Sequence, residues 1–316
     1  MEQRTEPPVI FLMGPTASGK SSLAIRLARR LPVEIISVDS GMVYRDMDIG
    51  TAKPAREILQ AVPHRLVDIR DPAESYSAGQ FRLDALREIA DIRAAGRVPL
   101  LVGGTNLYFR ALRDGLSGMP SADPAVRARL NAEAAEQGWP ALHRRLAAVD
   151  PEAAARISPN DPQRIQRALE VYELTGQPIS RFHGSGRMPG PPAIQLAVSF
   201  AERERQRTAI AERFYSMMAE GFLDEVERLY RRGDLHPDLP SMRLVGYRQA
   251  WAHLAGELDR DEMTRKAVVA TQQLGKRQLT WLRSEKDLEW FDAADAALDD
   301  KILKFVHRDA TLKRTV

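Results

Sequence analysis

Short apolar runs alternate with helical stripes over the first 113 residues. Residues 9–13 form a continuous apolar run of the length a buried strand needs, and it stops at Gly14. Leu23, Ala24, Leu27, Ala28 and Leu31 then recur at helical spacing until Pro32 ends the stripe. Residues 34–38 read as a second, β-branched buried strand, and residues 64–69 as another. Residues 77–95 predict an amphipathic helix stopped by Gly96, and residues 98–102 a strand that runs into Gly103, Gly104 and Thr105. Residues 41–54 mix aromatic, charged and Gly positions with weak periodicity, the composition of a working loop. Strand alternating with helix predicts a parallel sheet with crossover helices.

Beyond Asp114 the pattern changes. Residues 123–183 read as helix after helix, with Asp123-Pro124 and Asp161-Pro162 as helix starts, Asp capping and Pro in the first turn. A Gly/Pro-rich loop at 184–192 follows, and residues 194–200 alternate like a strand returning to the sheet. The remainder is mostly helical, at 202–220, 222–232, 242–254 and 262–285, with a last short strand at 288–291. The fold class expected is α/β: a parallel sheet core (1–113 and 193–316), P-loop NTPase-like by the G-x-x-x-x-G-K-S spacing of Gly14, Gly19, Lys20 and Ser21, with an inserted all-helical domain (114–192) and a helical C-terminal region.

Composition narrows the chemistry. The 316 residues include no Cys, which removes disulfides, thiolate catalysis and Cys-based zinc sites, and the six His lack metal-ligand spacing. Apolar residues at 44% suffice for a real core. With a polar start and no apolar run of membrane-spanning length, a cytoplasmic protein is expected. Net charge is only +3, but 46 Lys and Arg leave many cations free to cluster. That is compatible with nucleic-acid binding without establishing it.

The first apolar run opens onto Gly14, Pro15, Thr16, Ala17, Ser18, Gly19, Lys20 and Ser21, the complete spacing of a P-loop, with a strand before it and a helix behind. Backbone N–H groups and the helix dipole converge there on an anion. Lys20 would neutralise a terminal phosphate, and the Ser21 hydroxyl would reach Mg²⁺. Asp39 stands at the carboxyl end of the second strand, where ligands sit in open parallel sheets; there it is a metal ligand, a base or a helix cap. The turn at 103–105 points to the same crevice. Lys276, Arg277, Trp281 and Arg283 fall within eight residues of one helix, a pattern shared by a solvated helix face and an RNA-contacting one.

Seven stretches together resemble the tRNA dimethylallyltransferases: residues 14–21, 37–40, 47–54, 103–108, 160–172, 245–248 and 276–283. They run in order along nearly the whole chain. The resemblance implies transfer of a dimethylallyl group from dimethylallyl diphosphate to N6 of the adenosine on the 3′ side of the anticodon. It implies Mg²⁺, a monomer, diphosphate held by residues 14–21 and Asp39 acting on N6 as base or orienting acceptor. Thr105 matches a position that helps hold the diphosphate or the tRNA, and Arg127 one that closes on the diphosphate from a mobile insertion.

The tRNA contacts implied are Asp39, Ser40, Gly41 and Met42, with Thr105 and Arg127; Gln163, Arg164, Ile165, Gln166 and Arg167; Arg243, Leu244, Val245, Gly246, Tyr247 and Arg248; and Lys276, Arg277, Gln278, Leu279, Thr280, Trp281, Leu282 and Arg283. This chain departs from many relatives at Met42, where they carry Gln, and at Gly275, where they carry Ala. The alternatives are a P-loop nucleotide kinase or NTPase and a non-catalytic RNA-binding module. A kinase would favour an acidic residue after strand 98–102, where Gly103, Gly104 and Thr105 stand, and an RNA-binding module leaves the P-loop and Asp39 without a role.

Overall fold

A computed structural model describes residues 8–182 and 188–308, so the predicted loop at 184–192 lies partly outside the described residues. These residues form two compact units, one of residues 8–113 and 190–308 and the other of residues 114–182 and 188–189. The first unit begins β1 (Val9–Met13), α1 (Lys20–Ala28), β2 (Val33–Val38), α2 (Arg56–Ala61), β3 (His64–Arg65), α3 (Ala78–Ala94), β4 (Val98–Gly103) and α4 (Asn106–Asp114). The second holds α5 (Pro124–Gln137), α6 (Trp139–Val149), α7 (Pro151–Arg156) and α8 (Pro162–Thr175), closed by a 3-10 turn at Ile179–Phe182. The chain then returns to the first unit with β5 (Ala193–Ser199), α9 (Arg203–Ala219), α10 (Phe222–Tyr230), α11 (Tyr247–Leu254), α12 (Arg260–Leu282), β6 (Leu288–Asp292) and α13 (Leu298–Arg308).

The six strands make one parallel sheet in the order β3-β2-β4-β1-β5-β6. Alternation along β1 sends Val9, Phe11 and Met13 to one face and Ile10 and Leu12 to the other. The first face is covered by α3, α4 and α9–α12, with Phe11 against Phe109 at 5.0 Å between ring centroids. The second is covered by α1 and α13, which are also joined by Arg26 to Asp299 at 2.6 Å. Both faces are buried, which is why β1 reads as an unbroken apolar run.

Register decides what the sheet presents. Gly103 of β4 pairs with Met13 of β1 on one side and Val38 of β2 on the other, so three adjacent strands end level. Gly14, Asp39 and Gly104 therefore leave the sheet side by side. Gly103 must be glycine, because a Cβ there would lie 2.0 Å from the Val38 carbonyl oxygen.

The four-helix unit has its own core, built on Leu130, Leu142, Leu146, Ile165, Leu169 and Val171. Both helix starts read from Asp-Pro are present: Asp123 accepts from the N–H groups of Ala125 and Val126, and Asp161 from that of Arg164. No strand occurs among its described residues.

Two local expectations are corrected. The strand expected at 64–69 is only His64–Arg65, because Leu66 (φ 62°) and Asp68 (φ 58°) adopt left-handed conformations that turn the chain away. The helix expected at 242–254 begins only at Tyr247, since Gly246 (φ 92°) breaks the run and residues 242–246 form turns. Helices α2 and α13 were not anticipated. No described helix is long and apolar enough to cross a membrane.

Candidate active site

The loop between β1 and α1 makes a tight turn into an uncapped helix start. Gly19 (φ 80°) and Ala17 (φ 60°) take left-handed conformations, and α1 has no side-chain cap and no acidic residue in its first turn. Its free N–H groups and positive dipole end are thus open toward the loop interior. Lys20 is buried and donates from Nζ to the Pro15 carbonyl at 2.5 Å and to Ser18 Oγ at 3.4 Å. Burial pulls its pKa down to about 7; the Arg213 charge adds to this and Asp39 opposes it.

Asp39 does two things with its two oxygens. Oδ1 accepts from the N–H of Gly41 at 2.8 Å and of Met42 at 3.3 Å, closing a tight turn at the end of β2. Oδ2 accepts no hydrogen bond among the described residues. Thr105 fastens this turn to the next strand end: its Oγ1 accepts from the Ser40 N–H at 3.1 Å, and its own N–H donates to the Val38 carbonyl at 3.2 Å.

Lys20, Ser21, Asp39, Met42 and Thr105 line one cavity of about 420 Å³. Ile210, Phe214, Met217, Leu244 and Val245 give it an apolar wall, while Arg213 and Arg277 add cations. Arg213 of α9 has its pKa lowered by burial, with Asp39 acting in the opposite direction. It was not read from the sequence, because a single Arg on an amphipathic helix carries no spacing signal. Among the described residues no three His, Cys, Asp or Glu side chains are grouped to hold a metal ion. The Ser21 hydroxyl, in the first turn of α1, suits a hard cation that takes most of its ligands from a bound anion and water.

The other predicted residues divide by burial. On α12, Lys276, Arg277, Thr280 and Arg283 are exposed, and Leu279 and Trp281 half-buried. Leu282 is sealed in the core, and both ends of the Gln278 amide are bonded to backbone. In the 243–248 turn and helix start, Arg243 and Arg248 are exposed, whereas Leu244, Val245, Gly246 and Tyr247 line the cavity. The Tyr247 hydroxyl donates to Glu225 at 2.6 Å.

In the helical unit, Gln163 and Arg164 are exposed, Gln166 bonds Asn131 at 2.6 Å, and Ile165 is a core residue. Arg127 donates twice to the fully buried Glu170, at 2.8 and 3.1 Å, and Arg167 once, at 2.6 Å. These two guanidiniums and the Asp123 N–H outweigh burial and hold the Glu170 carboxyl below its usual range.

Comparison with known proteins places the chain in a family. The family described as IPP transferase matches residues 42–285, well over half the chain, and the isopentenyl transferase family matches residues 7–75. The chain is 64% identical over 291 residues to the tRNA dimethylallyltransferase of Thioalkalivibrio sulfidiphilus, covering 92% of this chain and 91% of that one. Its structure is similar to the full-length tRNA isopentenylpyrophosphate transferase of Bacillus halodurans, with a TM-score of 0.71 at 36% identity over 98% of both chains. The tRNA delta(2)-isopentenylpyrophosphate transferase of Staphylococcus epidermidis gives 0.67 at 30% identity, covering 95% of this chain and 99% of that one. A eukaryotic dimethylallyltransferase solved acting on tRNA shares the fold, with a TM-score of 0.80 at 24% identity over 98% of this chain and 80% of the other. The match in family, length and fold leaves one conclusion: the chain belongs to the tRNA dimethylallyltransferases, a family of prenyl-transferring enzymes.

Proposed function

We propose that the cavity binds dimethylallyl diphosphate, with its diphosphate on residues 14–21 and its prenyl tail along the apolar wall. The acceptor is N6 of the adenosine 3′ to the anticodon of tRNA. The observation that carries this reading is the level row of strand ends, which sets the anion loop, Asp39 and Thr105 around one space.

An allylic C–O bond breaks readily once the departing electron pair is stabilised on diphosphate. The backbone N–H groups at the start of α1, Lys20 and Arg213 do this in a partly dry site, where fixed donors count for more than in water. The Ser21 hydroxyl would hold Mg²⁺, which would supply further neutralisation of the diphosphate charge.

The N6 lone pair is delocalised into the ring and therefore weakly nucleophilic. Asp39 Oδ2 accepts the N6–H hydrogen bond, orients the amine toward the allylic carbon, and takes the proton as the N–C bond forms. Thr105 holds the Asp39–Ser40 turn in place. Met42, whose sulfur accepts from the Ser37 hydroxyl at 3.7 Å, offers the flipped base apolar contact. Flipping costs about a few kcal/mol, least in a loop already single-stranded. Exposed Arg243, Arg248, Lys276, Arg277 and Arg283 supply salt-sensitive contacts to phosphate. The enzyme works as a cytoplasmic monomer.

The test is Asp39→Asn, which keeps an acceptor for the Gly41 and Met42 N–H groups and removes the base. Single-turnover transfer should slow by about a hundredfold or more, the usual contribution of a general base. Affinity for tRNA should stay within a few-fold. An Asn variant that retained most of the rate would take Asp39 out of the proton transfer.

A further inference from the structure

Both backbone groups of Thr16, inside the anion loop, are held by side-chain amides from distant helices. Its N–H donates to Gln278 Oε1 of α12 at 2.9 Å, and its carbonyl accepts from Gln206 Nε2 of α9 at 2.6 Å. The other end of the Gln278 amide donates to the Gly104 carbonyl at 2.8 Å, so one side chain ties the anion loop to the turn that carries Thr105. The approach is close: a Cβ on Gly104 would lie 2.5 Å from Gln278 Nε2. Both glutamines are more than nine-tenths buried.

What they hold is a strained arch. Ala17, the next residue, sits at φ 60°, a left-handed conformation that its Cβ disfavours. The Thr16 carbonyl belongs to the peptide plane entering Ala17, and the Thr16 N–H to the plane before it. Fixing both planes from outside keeps the loop turned so that the N–H groups after Ala17 face the anion. An amide is suited to the Gln278 position because it offers an acceptor to Thr16 and a donor to Gly104 together. Leu offers neither, and Glu offers only the acceptor.

We propose that Gln278 and Gln206 are positioning residues for diphosphate binding, clamping the anion loop through Thr16 and joining it to the Gly104–Thr105 turn. This rests on the reading of the cavity as a diphosphate site. It assigns α12 two roles on two faces, an outer face of exposed cations and an inner amide that shapes the cradle.

The experiment is calorimetric titration of the full-length enzyme with inorganic diphosphate and Mg²⁺, for wild type, Gln206→Leu, Gln278→Leu and Gln278→Glu, alongside melting temperatures and turnover. Both Leu variants should bind diphosphate about tenfold more weakly, the effect of losing hydrogen bonds that hold a charged site in shape. Gln278→Glu keeps the Thr16 acceptor but sets a second acceptor against the Gly104 carbonyl and adds a negative charge near the anion, so it should bind no better than Gln278→Leu. In turnover, KM for the prenyl donor should rise more than kcat falls, with tRNA affinity unchanged. Variants that bind diphosphate like the wild type, or that lose affinity only in step with an unfolded fraction, overturn the clamp. Should Gln278→Leu fail to fold, Gln206→Leu, which removes the bond to the Thr16 carbonyl without changing charge, decides the matter. A wild type that binds no diphosphate would overturn the reading of the cavity, and the clamp with it.

Discussion

Glu225→Gln is expected to loosen the 47–53 loop, which forms part of the cavity wall. Glu225 is buried on α10 and accepts four hydrogen bonds. They come from the N–H groups of Asp48 at 2.8 Å, Ile49 at 2.8 Å and Gly50 at 3.1 Å, and from the Tyr247 hydroxyl at 2.6 Å. Three successive backbone donors aimed at one carboxylate make an anion nest that the protein fills from within. Glutamine has the same shape but only one acceptor oxygen, and its NH₂ would face a donor. Two N–H groups share Oε2, while Gly50 and Tyr247 share Oε1, so the better orientation of the amide, with its NH₂ toward a Tyr247 hydroxyl turned to accept, strands the Gly50 N–H and leaves the Asp48 and Ile49 bonds without their charge. At about 1.5–3 kcal/mol for each hydrogen bond to a charged group, and allowing for non-additivity, the loss is roughly 3 kcal/mol. That corresponds to about a hundredfold in the opening equilibrium of the loop. Native-state hydrogen exchange reads it directly: the amides of residues 48–50 should lose about that much protection, while those of β1 and β4 keep theirs. Equal protection at 48–50 in variant and wild type would show that the carboxylate does not anchor the loop.

Gly275→Ala should stabilise the protein by about 0.5–1 kcal/mol in urea denaturation, through helix propensity. The added methyl finds only ordinary contacts, with Ile210 Cδ1 at 3.5 Å and Thr16 Cγ2 at 3.9 Å, and a loss of stability would contradict this. Lys20, lowered to about 7 from 10.5, is largely neutral at pH 8 and should gain a proton when diphosphate binds. Calorimetry in two buffers of different ionisation enthalpy should show uptake that Lys20→Arg, always charged, lacks; equal uptake in the two proteins would refute it. For the free protein the sign is opposite to that of a salt-bridged lysine. Between pH 7 and 10.5 the unfolded chain binds the proton and the folded one does not, so Lys20 makes stability rise with pH across that window.

The strands were legible because the sheet is buried on both faces, which writes β1, β2 and β4 as apolar runs that need no tertiary information. The turn from β1 into α1 was legible for a related reason: its spacing is local, with every residue of the pattern between Gly14 and Ser21. Asp-Pro helix starts were read correctly at Asp123 and Asp161, since an N-cap acts within one turn. What escaped was non-local. Glu225 meets its loop across 175 residues and Gln278 meets Thr16 across 262, and neither sits in a pattern that periodicity detects. Arg213 was missed on the same grounds. The strand at 64–69 was overread because its apolar pattern says nothing of the left-handed turns at Leu66 and Asp68. Burial also separates residues that a contiguous motif lumps together: along α12 the 3.6-residue period turns Lys276 and Arg277 outward and Gln278 and Leu282 inward.

On the proposed function, the P-loop holds a prenyl diphosphate and the transfer needs no nucleotide. The most direct measurement incubates the purified protein with Mg²⁺, radiolabelled dimethylallyl diphosphate and unmodified tRNA, with and without ATP, followed by digestion of the tRNA to nucleosides. Label recovered as N6-(dimethylallyl)adenosine, from the position 3′ to the anticodon and independent of ATP, is the result expected. Unlabelled tRNA together with phosphoryl transfer from ATP would return the loop to nucleotide chemistry and contradict the account.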